Sequence, residues 1–222
     1  MKNVTLVIPA KFESESLPKV LHELKKFHVK KIIALPKDDV STIKSIKKYN
    51  CKIIFQKENG YGSALKEGIL SVKTKYFCIF NADGAFNPKY LKKMLLIINK
   101  KNDFVFNSRY EKNAGSDDDT FLTFIGNQFF TFICNILFNL NISDVLFTYV
   151  MGSTKAFKSL KINSKDFSFC VELPIKAKLK KYKFTILPTH ERARIAGKKK
   201  VNEFKDGFLI LISIIRLFIF KK

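Results

Sequence analysis

Asn81-Ala82-Asp83-Gly84 directly follows the apolar run Tyr76–Phe80, so one carboxylate stands where a strand-like segment gives way to a turn. Ligands of open α/β sheets bind in the crevice beyond the carboxyl ends of the strands. At such a position Asp83 holds a metal, caps the turn ahead of Pro88, or does neither. A second segment, ENGYGSALKEGI, sets Gly60 and Gly62 just before a helical pattern. Glycine there lets backbone amides approach a diphosphate, although short turns from strand to helix also use glycine for steric reasons alone. A third segment, HERARIAGKKKV, gathers Arg192, Arg194, Lys198 and Lys200 around Gly197. Guanidinium forks and ammonium point charges both suit phosphate oxygens. A plain solvated charge run has the same composition. His190 reads as structural, and no His/Cys spacing in the chain fits zinc.

Such residues need elements to hold them. Apolar runs without alternation at Val4–Pro9, Lys31–Leu35, Lys52–Phe55, Tyr76–Phe80 and Asp103–Asn107 predict strands covered on both faces. Leu17, Val20, Leu21, Leu24 and Phe27 recur at helical spacing after Ser16, an expected N-cap, with Pro18 in the first turn. Val40 to Tyr49, Tyr61 to Val72 and Pro88 to Lys100 fill the other gaps as helices. The alternation predicts an α/β fold built on a doubly wound parallel sheet. Beyond Tyr110 the pattern changes. Glu111 to Thr120 reads as a polar loop that no core uses, and Phe121 to Leu140 as a long apolar helix with Asn127, Thr131, Asn135 and Asn139 on one face. Lys183–Pro188 reads as a further strand, and Phe208 to Phe220 as a closing apolar helix.

Composition bounds the answer further. With 222 residues, 46% of them hydrophobic, the chain buries a full core as one domain with an appendage. Lys and Arg number 41 against 19 Asp and Glu. The resulting +22 predicts affinity for phosphates, anionic lipid or nucleic acid, beyond whatever share AT-rich codon usage adds to the lysines. Nucleic acid is disfavoured, because the aromatic residues are mostly phenylalanines inside apolar runs and not stacking platforms among Lys and Arg. Cys51, Cys78, Cys134 and Cys170 lie far apart and read as buried thiols of a reducing compartment.

Taken in order, VTLVIPAKFESES, ENGYGSALKEGI, FNADGAFNP, NSRY and HERARIAGKKKV run over nearly the whole chain. Together they resemble the family 2 glycosyltransferases of the GT-A fold, most closely the dolichol-phosphate mannose synthase-like branch. The resemblance implies a Rossmann-like, mostly parallel central sheet with helices on both faces. It places Pro9, Ala10 and Glu13 at the nucleotide, with Gly60, Gly62 and Ala64 as the glycine turn and Arg109 in the matched Ser-Arg-Tyr run. Asn81-Ala82-Asp83 occupies the place of the family's Asp-x-Asp, which makes Asp83 the ligand of Mg2+ or Mn2+ on the donor diphosphate. Arg192, Arg194, Lys198 and Lys200 match the acceptor loop, and Glu172 the acid near the acceptor. The implied reaction is inverting transfer of one sugar from a nucleotide-diphosphate donor to a polyprenyl phosphate. A lipid phosphate is already anionic, so Glu172 would orient a substrate; a saccharide hydroxyl, the rival acceptor, would need Glu172 as its base. An exposed helix position is the plain alternative for Glu172.

Several positions depart from the family. Asn81 keeps an oxygen donor and loses a charge. Pro36 and Lys37 stand where the family has Asp-Asp-Gly-Ser, with Asp38 and Asp39 arriving later, which leaves the choice between GDP and UDP open. Asp144 lacks the Gly-aromatic-Arg turn that follows it in the family, and the absence of Trp disfavours long-chain polymerisation. These departures keep a catalytically weak member acting as a binding scaffold as an alternative. The expected organisation is a GT-A domain over 1–204 and an apolar helix over 205–222, too short and too charged at Arg216 to span a bilayer. It is expected at a membrane interface, with Lys221 and Lys222 at anionic headgroups. Packing on the core, or docking on a membrane-protein partner, are the other uses of the same helix. No secretory h-region is visible, so export is not expected, and the family resemblance implies the cytoplasmic face of a membrane.

Overall fold

The computed structural model describes residues 1–197 and 199–220. The expected strands form as β1 (Val4–Pro9), β2 (Lys30–Leu35), β3 (Lys52–Phe55), β4 (Tyr76–Ile79) and β5 (Phe104–Ser108). Between them lie α1 (Leu17–Glu23), α2 (Val40–Ile46), α3 (Tyr61–Leu70) and α4 (Leu91–Asn99). The remainder comprises β6 (Gly115–Ser116), α5 (Phe121–Phe138), β7 (Val150–Ser153), α6 (Thr154–Leu160), α7 (Phe169–Leu179), β8 (Phe184–Pro188), β9 (His190–Glu191) and α8 (Glu203–Ile219).

Seven strands make one sheet in the order β3-β2-β1-β4-β7-β5-β8, and β6 pairs with β9 in a small second one. All pairs in the large sheet are parallel except those of β7, which runs antiparallel between β4 and β5. Sequence periodicity gives no sign of β7, because its four residues are too few to declare a period and open directly into α6. Side chains alternate between two cores. Val7, Phe77 and Ile79 join the layer under α3, α5, α6, α7 and α8, whereas Leu6, Ile8, Cys78 and Phe80 join the layer under α1 and α4. Gly152 exists because that packing is tight: a Cβ there would lie 2.6 Å from the Phe104 and Phe77 rings.

Two local expectations change. Ser16 does not cap α1 through its side chain and instead donates to Glu13 Oε2 at 2.6 Å. The segment 111–120 is not a free loop, since Gly115–Ser116 pairs with β9 and Asp119 accepts from Tyr110 Oη and Thr123 Oγ1. Of the expected Asn/Thr stripe, Asn127, Thr131 and Asn135 face inward, whereas Asn139 lies past the end of α5, exposed, at φ 49. Asn127 donates to Tyr110 Oη, Thr131 Oγ1 accepts from the Val145 N–H, and Asn135 closes both backbone groups of Ile142. Buried backbone needs partners wherever sheet and helix ladders do not reach, and α5 supplies them to segment 142–145.

Asp39 caps α2, accepting from Thr42 N–H at 3.2 Å, and also takes the Phe12 N–H at 2.6 Å. Phe12 sits at φ 56, in the left-handed region. Burial opposes the charge of Asp39, yet the bonds from Phe12, Thr42 and Ser41 hold its carboxyl below the ordinary carboxylate range. Asp39→Ala is expected to destabilise the protein by about 1–2 kcal/mol, lowering Tm by roughly 2–8 °C. Because the folded pKa is depressed, this contribution is complete above the unfolded carboxylate pKa and is lost as pH falls through the folded one. Thermal melts of both proteins should therefore differ at pH 7 and converge in acid.

Candidate active site

The carboxyl ends of β1, β2, β3 and β4 open onto a cleft of about 720 Å³. Pro9, Ala10 and Glu13 border it from the turn after β1, Pro36 from the turn after β2, Gln56 and Gly60 from the turn after β3, and Asn81 and Asp83 from the turn after β4. The far wall is apolar, with Leu122, Ile125 and Phe129 from α5 and Phe204 and Ile210 from α8.

Asp83 uses Oδ1 to accept from the Ala85 N–H at 3.0 Å. Burial pushes its carboxyl up, the Ala85 bond and the Arg194 charge pull it down, and nearby Glu13 and Asp118 add to the rise. Asn81 turns its Oδ1 toward Tyr61 Oη at 3.4 Å. Tyr61, which sequence reasoning passed over between its two glycines, is fixed by Thr148 at 2.7 Å and by stacking on Phe167 with centroids 4.8 Å apart. The segment carrying Arg192 and Arg194 lies strapped along the Asp83 turn: Arg192 N–H donates to Ala85 O, and Ile195 N–H to Asp83 O. Gly84 (φ 87) permits that contact, since a Cβ would lie 2.4 Å from Ile195 Cδ1.

The basic residues divide between two tasks. Arg192 leaves the cleft, pairing with both oxygens of Glu23 at 3.0 Å and donating to Gly84 O and Phe86 O, so it braces the Asp83 turn and is not placed for an acceptor phosphate. Arg194 stays inside, forked on Asp118 at 3.0 and 2.7 Å and 4.0 Å from Asp83. Lys199 also borders the cleft, 4.0 Å from Asp118, and Lys200 reaches Glu13 and the Lys11 carbonyl. Lys198 lies outside the described residues. Asp118 was hidden in an acidic run whose composition reads as loop.

Arg109 borders the cleft as expected, but its guanidinium is already engaged. It forks on Asp144 at 2.7 and 3.0 Å, meets Glu191 at 3.2 Å, and lies over the Phe147 ring at 4.6 Å. Asp144, buried, therefore has a defined partner despite lacking the turn of the family pattern. His190 pairs with Asp117 at 2.9 Å.

Gly62 and Glu172 stand away from their expected places, whereas Gly60 keeps its place on the cleft. A Cβ on Gly60 would lie 2.1 Å from the Lys165 carbonyl oxygen, and one on Gly62 2.6 Å from that of Asp166. Their missing side chains make room for the chain's own backbone, and Ser63 N–H bonds Lys165 O at 3.0 Å; Gly62 does not border the cleft at all. Glu172 is neither at the cleft nor exposed. Its buried carboxylate accepts from the Asn163 N–H at 3.0 Å and the Ser164 N–H at 2.7 Å, and pairs with Lys176 at 2.5 Å. It braces the loop that abuts Gly60 and Gly62, which makes it a positioning residue.

Hard oxygen donors at Asp83 and Asn81, with Asp118 across the cleft, suit a small divalent cation whose remaining ligands come from phosphates. A cationic guanidinium already stands between Asp83 and Asp118. Among the described residues no group of three His, Cys, Asp or Glu forms a complete cage.

A mostly parallel sheet of this topology, with an acid at the end of β4 facing a cleft that the β1 and β3 turns line, is that of a GT-A glycosyltransferase. The solved glucosyl-3-phosphoglycerate synthase of Mycobacterium tuberculosis, in complex with Mn2+, UDP-glucose and phosphoglyceric acid, shares the fold. It superposes with TM-score 0.76 at 11% identity over 97% of this chain and 79% of that one. The family model Glycosyl transferase family 2 matches residues 5–161, and the chain belongs to that family. An uncharacterised glycosyltransferase of Mycobacterium tuberculosis is 23% identical over 210 residues, 94% of each chain. A dolichyl-phosphate hexose transferase of Haloferax volcanii is 23% identical over 190 residues, 84% of this chain and 80% of its own.

Burial disfavours the charge of Glu172, and its bonds to Lys176, Ser164 and Asn163 prevail, holding its carboxyl below the ordinary range. Glu172→Gln should destabilise by about 1.5–3 kcal/mol, a Tm lower by roughly 3–12 °C, with nucleotide affinity of the folded variant near wild type. The depressed pKa makes that difference present at neutral pH and absent once pH falls through the folded value. A variant that melts like wild type but loses turnover would return Glu172 to the reacting atoms.

Proposed function

We propose that this glycosyltransferase moves one sugar from a nucleotide-diphosphate donor to a polyprenyl-type lipid phosphate at the cytoplasmic face of a membrane, in the manner of the dolichol-phosphate mannose synthase-like branch. One observation carries the acceptor assignment: α5 is apolar on its outer face, while its inner face mixes Asn127 and Thr131 with Phe130, Cys134 and Phe138. Its polar stripe is spent inward, and Phe121, Phe129, Phe132 and Ile136 stand in solvent, with Phe132 64% exposed. By length and composition alone α5 is apolar enough to cross a membrane. Beside it α8 buries Ile210 and Ile214 in the core and exposes Phe204, Phe208, Ile215 and Ile219. Apolar faces of this extent mark membrane or partner contacts. The cleft runs from its charged end to the wall between these helices, which suits an amphiphile with a phosphate head and an apolar tail. The Haloferax relative, named for a dolichyl-phosphate acceptor, supports the same reading.

The chain's residues then have distinct work. Asp83 and Asn81 hold Mg2+ or Mn2+, which when bound neutralises charge on the leaving diphosphate; the Mn2+ and UDP-glucose of the solved neighbour support this. Pro9, Ala10 and Glu13 border the nucleotide. Arg194, Lys199 and Lys200 ring the phosphate end with positive charge. A lipid phosphate needs no general base, which agrees with Glu172 lying away from the cleft and Glu191 being held by Arg109 and by Ser116 Oγ at 2.6 Å. The proposed division at residue 204 is functional, since α8 shares the core of the domain while its outer face meets lipid. A membrane-protein partner is the other occupant of that face.

Asp83→Ala is expected to lower turnover at least about 100-fold, the scale of losing a principal electrostatic stabiliser, whereas Asn81→Asp should retain activity and bind Mn2+ at least as tightly. Near-normal turnover of Asp83→Ala would reduce Asp83 to a turn cap. For the acceptor, flotation with anionic vesicles and transfer to polyprenyl phosphate are the measurements. Phe132→Ser combined with Phe208→Ser changes only exposed side chains, and should release the protein from vesicles without impairing hydrolysis of soluble donor. Faster transfer to a soluble saccharide than to polyprenyl phosphate would remove the lipid assignment.

A further inference from the structure

The cleft's nucleoside end has its own chemistry. If Asp83 faces the donor diphosphate, the order β3-β2-β1-β4 sets the carboxyl ends of β1, β2 and β3 in a row leading away from it. Pro9, Pro36 and Gln56 stand at those ends and border the cleft, with Asn59 beside them.

Gln56 is held rigidly. Its backbone N–H donates to Leu35 O at 3.0 Å, and its Nε2 donates to Glu58 O at 3.1 Å and Gly60 O at 2.9 Å. The reversed amide would set Oε1 against two carbonyl oxygens, so the orientation is fixed by chemistry. Oε1 remains the one uncommitted polar atom of the side chain. Asn59 is exposed and makes no side-chain hydrogen bond among the described residues. Acids near this end are engaged elsewhere or do not reach it. Asp39 is buried on Phe12, Thr42 and Ser41, Glu13 is held by Lys200 and Ser16, and Asp38 does not border the cleft.

We propose that Gln56, helped by Asn59, reads the donor's base and selects uracil over guanine; the inference rests on the nucleotide-donor reading above. Uracil presents one N–H between two carbonyl oxygens, which Gln56 Oε1 as acceptor and the uncommitted Asn59 NH2 as donor satisfy. Guanine presents an N–H next to an amino group, and this pair of donors requires two adjacent acceptors, as on a carboxylate. Guanine sets two donors against one fixed acceptor, Gln56 Oε1, and has its second satisfied only if the Asn59 amide turns from donor to acceptor, a defect on the order of a tenfold loss in affinity.

Calorimetric titration of UDP and GDP at fixed Mg2+ tests the assignment on wild type, Gln56→Ala, Gln56→Glu and Asp83→Ala. Wild type should bind UDP at least about tenfold more tightly than GDP. Gln56→Ala should weaken UDP and bring the two affinities within about threefold, and Gln56→Glu should shift the preference toward GDP. GDP binding as tight as UDP in wild type, or an unchanged ratio in Gln56→Ala, overturns the base assignment alone, provided both nucleotides still depend on Asp83. Absence of binding by either nucleotide, or wild-type affinity in Asp83→Ala, removes the donor reading and this inference with it.

Discussion

Carboxylates that share one cleft repel one another, and Glu13, Asp83, Asp118 and Glu191 share this one. Low local dielectric strengthens the repulsion, so the cleft holds together only because cations come in from distant parts of the chain. Arg109 answers Asp144 and Glu191, Arg194 answers Asp118, and Lys200 answers Glu13. Each pair also fastens one loop to another, which ties the turns after β1 and β5, the polar segment before α5 and the strap after β9 into a single rim. Asp83 is the acid left with the weakest internal partner, at 4.0 Å from Arg194. Burial raises its pKa, with Glu13 and Asp118 adding to the rise, and the distance of its cationic partner leaves it open to an external cation.

Segments whose burial is uniform were legible from sequence. Strands β1 and β4 are buried along their length because helices cover both faces, whereas edge strand β3 exposes Lys52 and Phe55, and Asp83 stands out because a charge follows such a buried run. Legibility fails where the partner is remote in the chain. Nothing in FCVELPIKA reveals that the acid at 172 accepts backbone amides from 163 and 164. The glycines at 60 and 62 look shaped for a phosphate until the carbonyls of 165 and 166 are seen filling the space. Arg192 and Arg194 are separated by one residue and identical in type, yet one braces Glu23 and the other faces the cleft.

Helix α5 reverses the usual rule for a more general reason. Helical spacing correctly groups Asn127, Thr131 and Asn135, but hydropathy alone would send that group to water. The irregular backbone at 142–145 needs hydrogen-bond partners that aliphatic side chains do not offer. The amides and hydroxyl share the inward face with Phe130, Cys134 and Phe138, and Phe121, Phe129 and Phe132 are left on the outside. The surface assigned to lipid is thus a by-product of satisfying buried backbone.

The antiparallel strand β7 also sets an order of events during synthesis. Strands β1 to β4 pair among themselves within the first 79 residues. The sheet cannot continue past β4 until residues 150–153 exist, because β5 reaches β4 only through β7. Arg192, which braces the Asp83 turn against Glu23, arrives later still, 169 residues after its partner. During synthesis the strands β1 to β4 are therefore complete well before the turn at Asp83 can be braced, and long-range closures of this kind are the slow ones. The contacts that brace the cleft are completed only in the last stretch of the chain, just ahead of α8.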